Sequence, residues 1–340
     1  MKFYFLLVFC LTVVLESFGQ FQPDTTYFEN YPDQLTTRFY TSRKYTSFLV
    51  RDQVTDQSYR FEPNSTLNLG IGATYDDFTL NLAYGFGFMN PDRSTGKTKY
   101  LDLQAHMYPN KFVIDFFGQF YRGYYLLDDL RAGEDEVFIL PEMRMQQVGL
   151  NVQYLMNGER LSLKAAFLQS AWQKKSAGSL VVGMEGYGSR VNNNDLILPP
   201  SPELLEQRNF DRIASVDFGP NVGYVHTLVF AKHFFITGML SANLAVNRVA
   251  MDIEGVREVN WGMSPNIFWR GFVGYNSDRW SINANYVQNR VRNQTINDME
   301  SVFLVGNYRF NFVYRFIPGP KLKPKLDFFS PKRIIGSLKK

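Results

Sequence analysis

Apolar and polar residues alternate with period two over one segment after another, the mark of a strand whose two faces meet different surroundings. From Phe78 to Phe88 the even positions are Phe78, Leu80, Leu82, Tyr84, Phe86 and Phe88, with Thr79, Asn81, Ala83, Gly85 and Gly87 between them. Leu67, Leu69, Ile71, Ala73 and Tyr75 alternate with Thr66, Asn68, Gly70, Gly72 and Thr74, and Leu101, Leu103, Ala105 and Met107 with Asp102, Gln104, His106 and Tyr108. Near the C-terminus one face reads Val302, Leu304, Gly306, Tyr308, Phe310, Phe312, Tyr314 and Phe316, while Asn307, Arg309, Asn311 and Arg315 occupy the other. Read this way, the chain predicts strands at 35–50, 65–75, 78–88, 100–108, 111–125, 142–156, 160–170, 179–189, 213–228, 232–247, 257–275, 280–286 and 302–316. The phase breaks at Gln146-Gln147, which predicts a bulge there.

Strands of about 10 to 16 residues exceed the usual length in soluble sheets and suit a membrane crossing. Aromatics such as Tyr75, Tyr124, Tyr154, Trp280 and Phe316 sit towards strand ends, as interfacial girdles require. The expectation is an all-β fold, an antiparallel transmembrane β-barrel of about 12 strands (12–14). An Arg at the bilayer midplane on the lipid side costs about 2–4 kcal/mol. Arg144, Lys164, Arg270, Arg309 and Arg315 all fall on the opposite parity, so the barrel reading meets that constraint. Asp76-Asp77, Pro109-Asn110, Asn157 to Glu159 and Asn276 to Asp278 read as tight periplasmic turns. Segments 88–98, 126–141, 170–178, 248–257 and 292–299 read as external loops. Thirteen windows are one away from the even number that single-chain barrels favour. Either a short strand near Leu196–Leu198 gives 14, or residues 35–50 lie outside and give 12.

Composition changes the picture at the two ends. Lys2, the apolar run Phe3 to Leu15 and Ser17-Phe18-Gly19 form a signal peptide cleaved before Gln20. Cys10, the only cysteine, lies inside it, so the mature chain forms no disulfide. After Phe316 the chain carries Lys321, Lys323, Lys325, Lys332, Arg333, Lys339 and Lys340 against Asp327 alone, a formal +6 in a protein whose net charge is +4. Prolines at 318, 320, 324 and 331 oppose one continuous helix there. The expected organisation is signal peptide 1–19, N-terminal periplasmic segment 20–33, barrel 34–316 and basic periplasmic tail 317–340.

A set of short stretches in fixed order also resembles a known family. They are Tyr31-Pro32, Tyr59 to Asn64, Leu69-Gly70-Ile71-Gly72, Lys99 to Asp102, Phe117 to Tyr125, Lys174 to Ser179 and Gly219 to Tyr224. The family is an uncharacterised one of predicted outer-membrane barrels, designated only as a domain of unknown function. The resemblance spans most of residues 27–316. It implies the fold and the location in the outer membrane, and no activity, cofactor or catalytic residue.

No catalytic constellation stands out. His106 lies on the predicted lumenal face without an identifiable serine partner, and His226 and His233 flank the turn at 230–232. The acidic run from Asp128 to Glu136 lacks the spacing of a calcium loop. No cluster has metal-ligand spacing, so neither a metal nor a cofactor is expected. The functional lead is a lumen of mixed charge, with Asp102, His106, Asp115, Glu185 and Asp217 against Arg144, Lys164, Arg270, Arg309 and Arg315. Such groups pair to fill a scaffold barrel or line a narrow porin-like channel. The competing reading is a membrane-embedded enzyme acting on lipid or glycan. Expected partners are outer-membrane lipid and, through the tail, anionic inner-leaflet lipid or a periplasmic protein, with no nucleic acid.

Overall fold

The computed structural model describes residues 22–328 apart from 77, 91–93, 110, 128–136, 200–208 and 254. The expected signal peptide, the acidic run and the last twelve residues of the expected tail lie outside the described residues. Period-two segments become long antiparallel strands. In chain order they are β1 (Phe28–Asn30), β2 (Leu35–Asp52), β3 (Ser58–Glu62), β4 (Leu67–Tyr75), β5 (Phe78–Tyr84), β6 (Lys99–Met107), β7 (Phe112–Leu126) and β8 (Ile139–Leu155). There follow β9 (Ala171–Gln173), β10 (Ala177–Asn192), β11 (Arg212–Phe230), β12 (Phe234–Ile253), β13 (Val256–Asn276), β14 (Trp280–Arg292) and β15 (Met299–Phe316).

Ten of these strands close a ring. β2 pairs with β15 over its full length, from Leu35↔Phe316 to Asp52↔Met299. The order then runs β15, β14, β13, β12, β11, β10, β8, β7, β3 and back to β2. β4 and β5 hang from the edge of β2, and β6 hangs from β7. A closed ring satisfies its backbone donors and acceptors internally, which a sheet in hydrocarbon must do. The outward positions form a continuous apolar belt: Val216, Phe218, Val222, Leu240, Leu244, Val246, Phe310 and Phe312 are all exposed. Mid-strand inward positions of the same strands include Ser215, Asp217, Asn221, Ser241, Asn243, Asn247 and Asn311, all buried. One mouth carries the short turns and both ends of the described chain; we call it the terminal mouth, and its opposite the loop mouth.

The structure departs from the sequence reading at several points. Residues 160–170 hold no strand. They fold inward as a plug containing helix α1 (Leu163–Phe167), on which Leu163, Ala165 and Ala166 are all buried. Segment 170–178 is accordingly no loop of the opposite mouth: β9 pairs with β1 beneath the plug. β8 keeps its phase through Gln146-Gln147, with Arg190↔Gln146 and Ser189↔Gln147 in register. The irregularity lies nearer the start of β8, where Arg122↔Arg144 is followed by Tyr124↔Leu140, so that residues 141–143 of β8 face the single Gly123 of β7. β12 and β13 run through most of 248–257. Residues 35–50 belong to the wall, and Leu196–Leu198 form no strand.

The tail begins with helix α2 (Lys323–Phe328), where Pro324 sits in the first turn that tolerates it. One link to the barrel is Tyr75 Oη donating to Asp327 Oδ1 at 2.8 Å. One such bond is worth about 1 kcal/mol. Truncation after Pro318 is therefore expected to leave heat-modifiable migration on gels intact. Loss of the folded form would assign the tail to the barrel's structure.

Candidate functional site in the lumen

Alternation turns one residue in two inward, and the inward set divides the lumen into three levels. At the loop mouth the side chains are apolar: Phe48, Phe61, Met143, Met145, Val249, Met251 and Phe303 pack together. Ile197, Leu198 and Phe210, from the connection between β10 and β11, drop into the same cluster and are almost fully buried.

The middle level is polar and built around Asp115 of β7, which is fully buried. Arg270 of β13 donates to Asp115 Oδ2. These two strands lie on opposite sides of the ring, so the pair crosses the lumen. His106 Nδ1 sits 2.7 Å from Asp115 Oδ1. A carboxylate only accepts, so Nδ1 carries the proton. Asn151 Nδ2 approaches Asp115 Oδ2 at 3.4 Å, and Asn221 Nδ2 donates to Asn151 Oδ1 at 2.8 Å and to Glu185 Oε2 at 2.9 Å. Asp217 accepts from Asn247 Nδ2 at 2.7 Å. The Arg270 guanidinium lies 4.1 Å from the centre of the Phe268 ring and 5.1 Å from that of Phe167.

The terminal mouth is covered by the plug. Phe167 packs on Phe272 at 4.1 Å and on Tyr108 at 5.0 Å between ring centres. Plug carbonyls are held by wall side chains: Asn283 Nδ2 donates to Ala166 O at 3.3 Å, Arg38 to Leu168 O at 3.0 Å, and Arg315 to Gln169 O. The N-terminal segment lies beneath, with Tyr31 N donating to Ser170 O and the Arg315 guanidinium 5.1 Å from the Tyr31 ring. Burial there pushes the Tyr31 phenol up to about 12.

Of the ten residues singled out from the sequence, Asp102, His106, Asp115, Glu185, Asp217, Arg270, Arg309 and Arg315 point inward. Asp102 is paired with Lys44 Nζ at 2.9 Å and accepts from Tyr121 Oη at 2.8 Å. Two do not occupy inward positions of the wall. Arg144 is exposed on the outer face at the loop end of β8, beside the Arg122–Glu142 ion pair. Its neighbours Met143 and Met145 point inward because that end of the lumen is apolar. Lys164 lies on α1 and not on a wall strand. Sequence reasoning missed Lys44, Arg38, Asn151 and Asn221. The first two fall in the segment whose membership of the wall was open, and the asparagines were not distinguished from the many others.

Among the described residues His106 has Asp115 as its hydrogen-bond partner, and no hydroxyl nucleophile is bonded to it. No group of three metal-ligating side chains comes together among them either.

A closed antiparallel ring with an apolar outer belt and a polar interior defines an integral β-barrel of the outer-membrane type, and its place is the outer membrane. The chain belongs to the family described as Domain of unknown function (DUF4421), whose model matches residues 22–316. Solved structures similar to it include the outer-membrane protease OmpT from Escherichia coli, at 9% identity and TM-score 0.40, covering 84% of this chain and 98% of that one. The translocator domain of the autotransporter NalP from Neisseria meningitidis matches at 9% identity and TM-score 0.35, covering 83% and 88%. The toluene transporter TodX from P. putida matches at 8% and 0.25, covering 85% and 91%. Likeness of this degree transfers no activity. No curated protein matches the chain.

Proposed function

We propose that the protein is a non-enzymatic barrel of a Gram-negative outer membrane that holds its lumen closed and serves as a structural or assembly scaffold. In this reading it crosses the membrane twelve times, β3 and β4 counting as one interrupted strand. An even count puts both termini in the periplasm, with the leader removed before Gln20 and the basic tail beside the anionic inner leaflet. The observation that carries the reading is the Asp115–Arg270 pair spanning the lumen from β7 to β13. Above it lies the apolar cluster and below it the plug, so a narrow channel would need three barriers to move together.

The rival, an enzyme acting on lipid or glycan, is favoured by the His106–Asp115 pair. Its mark would be lipid turnover by the purified protein that His106→Ala abolishes. For the scaffold reading the test is chemical access. A cysteine placed at Asn151, which is fully buried in mid-lumen, is expected to resist a membrane-impermeant maleimide from both sides. A cysteine at exposed Asp56 is expected to react. Rapid labelling at 151 would mean an open lumen.

A further inference from the structure

At the level of β5 and β6 the wall is not hydrogen-bonded all the way round. β4 carries β5 and β7 carries β6, yet among the described residues none of β5 pairs with any of β6. The ring closes past them only through β3, at Phe61↔Leu126 and Glu62↔Tyr125. Local sequence explains why β3 leaves the line of β4. Pro63 has no N–H to continue the ladder. Asn64 instead donates from its backbone to Thr98 Oγ1 at 2.8 Å and from its side chain to Gly96 O at 2.9 Å. The returning chain crosses Gly123, whose φ is +92° and where a Cβ would meet Lys97 O at 2.3 Å.

A seam results between β5 and β6. β5 is exposed on both faces, at outward Leu80 and Leu82 and at Asn81 and Ala83 of inward parity. Across the seam, the lumen-facing Gln104 and His106 are only partly buried. Hydrocarbon cannot satisfy an open sheet edge, so the seam must meet polar groups on its lumen side.

Those groups are in place. Gly70 and Gly72 occupy inward positions of β4. A Cβ would lie 2.2 Å from the Tyr40 ring at Gly70 and 2.9 Å from Arg38 at Gly72. Their missing side chains let Tyr40 and Arg38 of β2 lie across β4, and Arg38 Nη1 reaches Asn81 Oδ1 at 3.3 Å. The Arg309 guanidinium lies 4.2 Å from the Tyr40 ring centre. Lys44 and Arg270 have carboxylate partners and Arg315 has carbonyls. Arg38 donates to Thr74 Oγ1 and Leu168 O, yet neither it nor Arg309 has a carboxylate partner among the described residues, and the Nε of each is buried with no acceptor. On the outer side of the same strands runs an apolar groove of about 490 Å³, lined by Phe39, Ile71, Leu80, Leu82 and Phe312.

We propose that the β5–β6 seam is a lateral binding site for an anionic amphiphile of the membrane. Its carboxylate or phosphate head sits on Arg38 and Arg309, and its acyl chain lies in the groove over Leu80 and Leu82. A site entered from the side is independent of whether the two mouths conduct, so a result here is separable from the closed-lumen reading.

The full mature chain in detergent micelles is titrated with nitroxide-labelled stearate, with a fluorophore on Ala83→Cys or, as a control on the far wall, on Val246→Cys. Saturable quenching is expected at 83 and much less at 246. Affinity is expected to fall about tenfold with Arg309→Gln, with stearyl alcohol in place of the acid, and with Asn81→Asp, which gives Arg38 its own carboxylate. Asn81 is exposed, so that variant keeps the fold, and heat-modifiable migration checks it. Equal quenching at both sites, equal affinity for the alcohol, or no effect of Asn81→Asp would overturn the proposal. So would full competition by inorganic phosphate, which would indicate an anion site without a chain.

Discussion

Asp115→Ala is expected to cost about 3–5 kcal/mol of stability, because it leaves the guanidinium of Arg270 buried and unpaired in mid-lumen. Both side chains are almost fully shielded, at 0% and 1% relative exposure, so solvent cannot take over the missing partner. Asp115 also orients His106, and its loss strands that imidazole as well. Arg270→Ala leaves the carboxylate without its cation and should cost a similar amount. The diagnostic variant is the apolar pair Asp115→Leu with Arg270→Met, which removes both charges and is expected to recover most of the loss. Urea unfolding in micelles, followed by gel mobility and tryptophan fluorescence, gives all four values. A double variant as unstable as the singles would mean that the middle of the lumen depends on the amide network more than on the crossing pair.

The second large effect concerns the plug. β8 and β10 are antiparallel neighbours, with Leu155 opposite Val181, so a Gly-Gly turn can replace residues 160–175 without moving either strand. Excision uncovers Phe235 and Phe272, each 4% exposed in the intact protein. Burial of such a side chain is worth about 1.5–3 kcal/mol, so a loss of about 3–6 kcal/mol is expected from these two. The shortened barrel should still fold, since the ring closes through β2 and β15 without the plug. A cysteine at Asn283, 1% exposed and bonded to Ala166 O in the intact chain, should then become reactive to an impermeant maleimide. Protection at 283 that survives excision would contradict the plug's role as a cover.

Much of this architecture can be read from the alternation, because a strand between lipid and a polar interior has chemically opposite faces. Thr79 to Tyr84, Leu101 to Met107 and Asn307 to Phe316 are of that kind, and their parity leads directly to inward Asp102, His106, Arg309 and Arg315. The rule misleads where its premise lapses. At the loop mouth the interior is itself apolar, so inward Met143 and Met145 look lipid-facing and Arg144 looks lumenal. In the plug, Leu161, Leu163, Ala165 and Phe167 alternate like a strand. Ala166 and Leu168 between them are the clue, since a segment enclosed by the barrel is apolar on more than one side. The seam leaves no periodic signal. It depends on which distant strands pair, and β3 joining β7 is set by Pro63, Asn64 and Gly123.

Planar-bilayer recording of the purified full-length protein tests the closed lumen most directly. The account predicts no steady conductance at moderate voltage, both for the natural chain and for Arg309→Ala. Stable, ohmic single-channel steps that Arg309→Ala alters in size or ion selectivity would contradict it and make the barrel a channel.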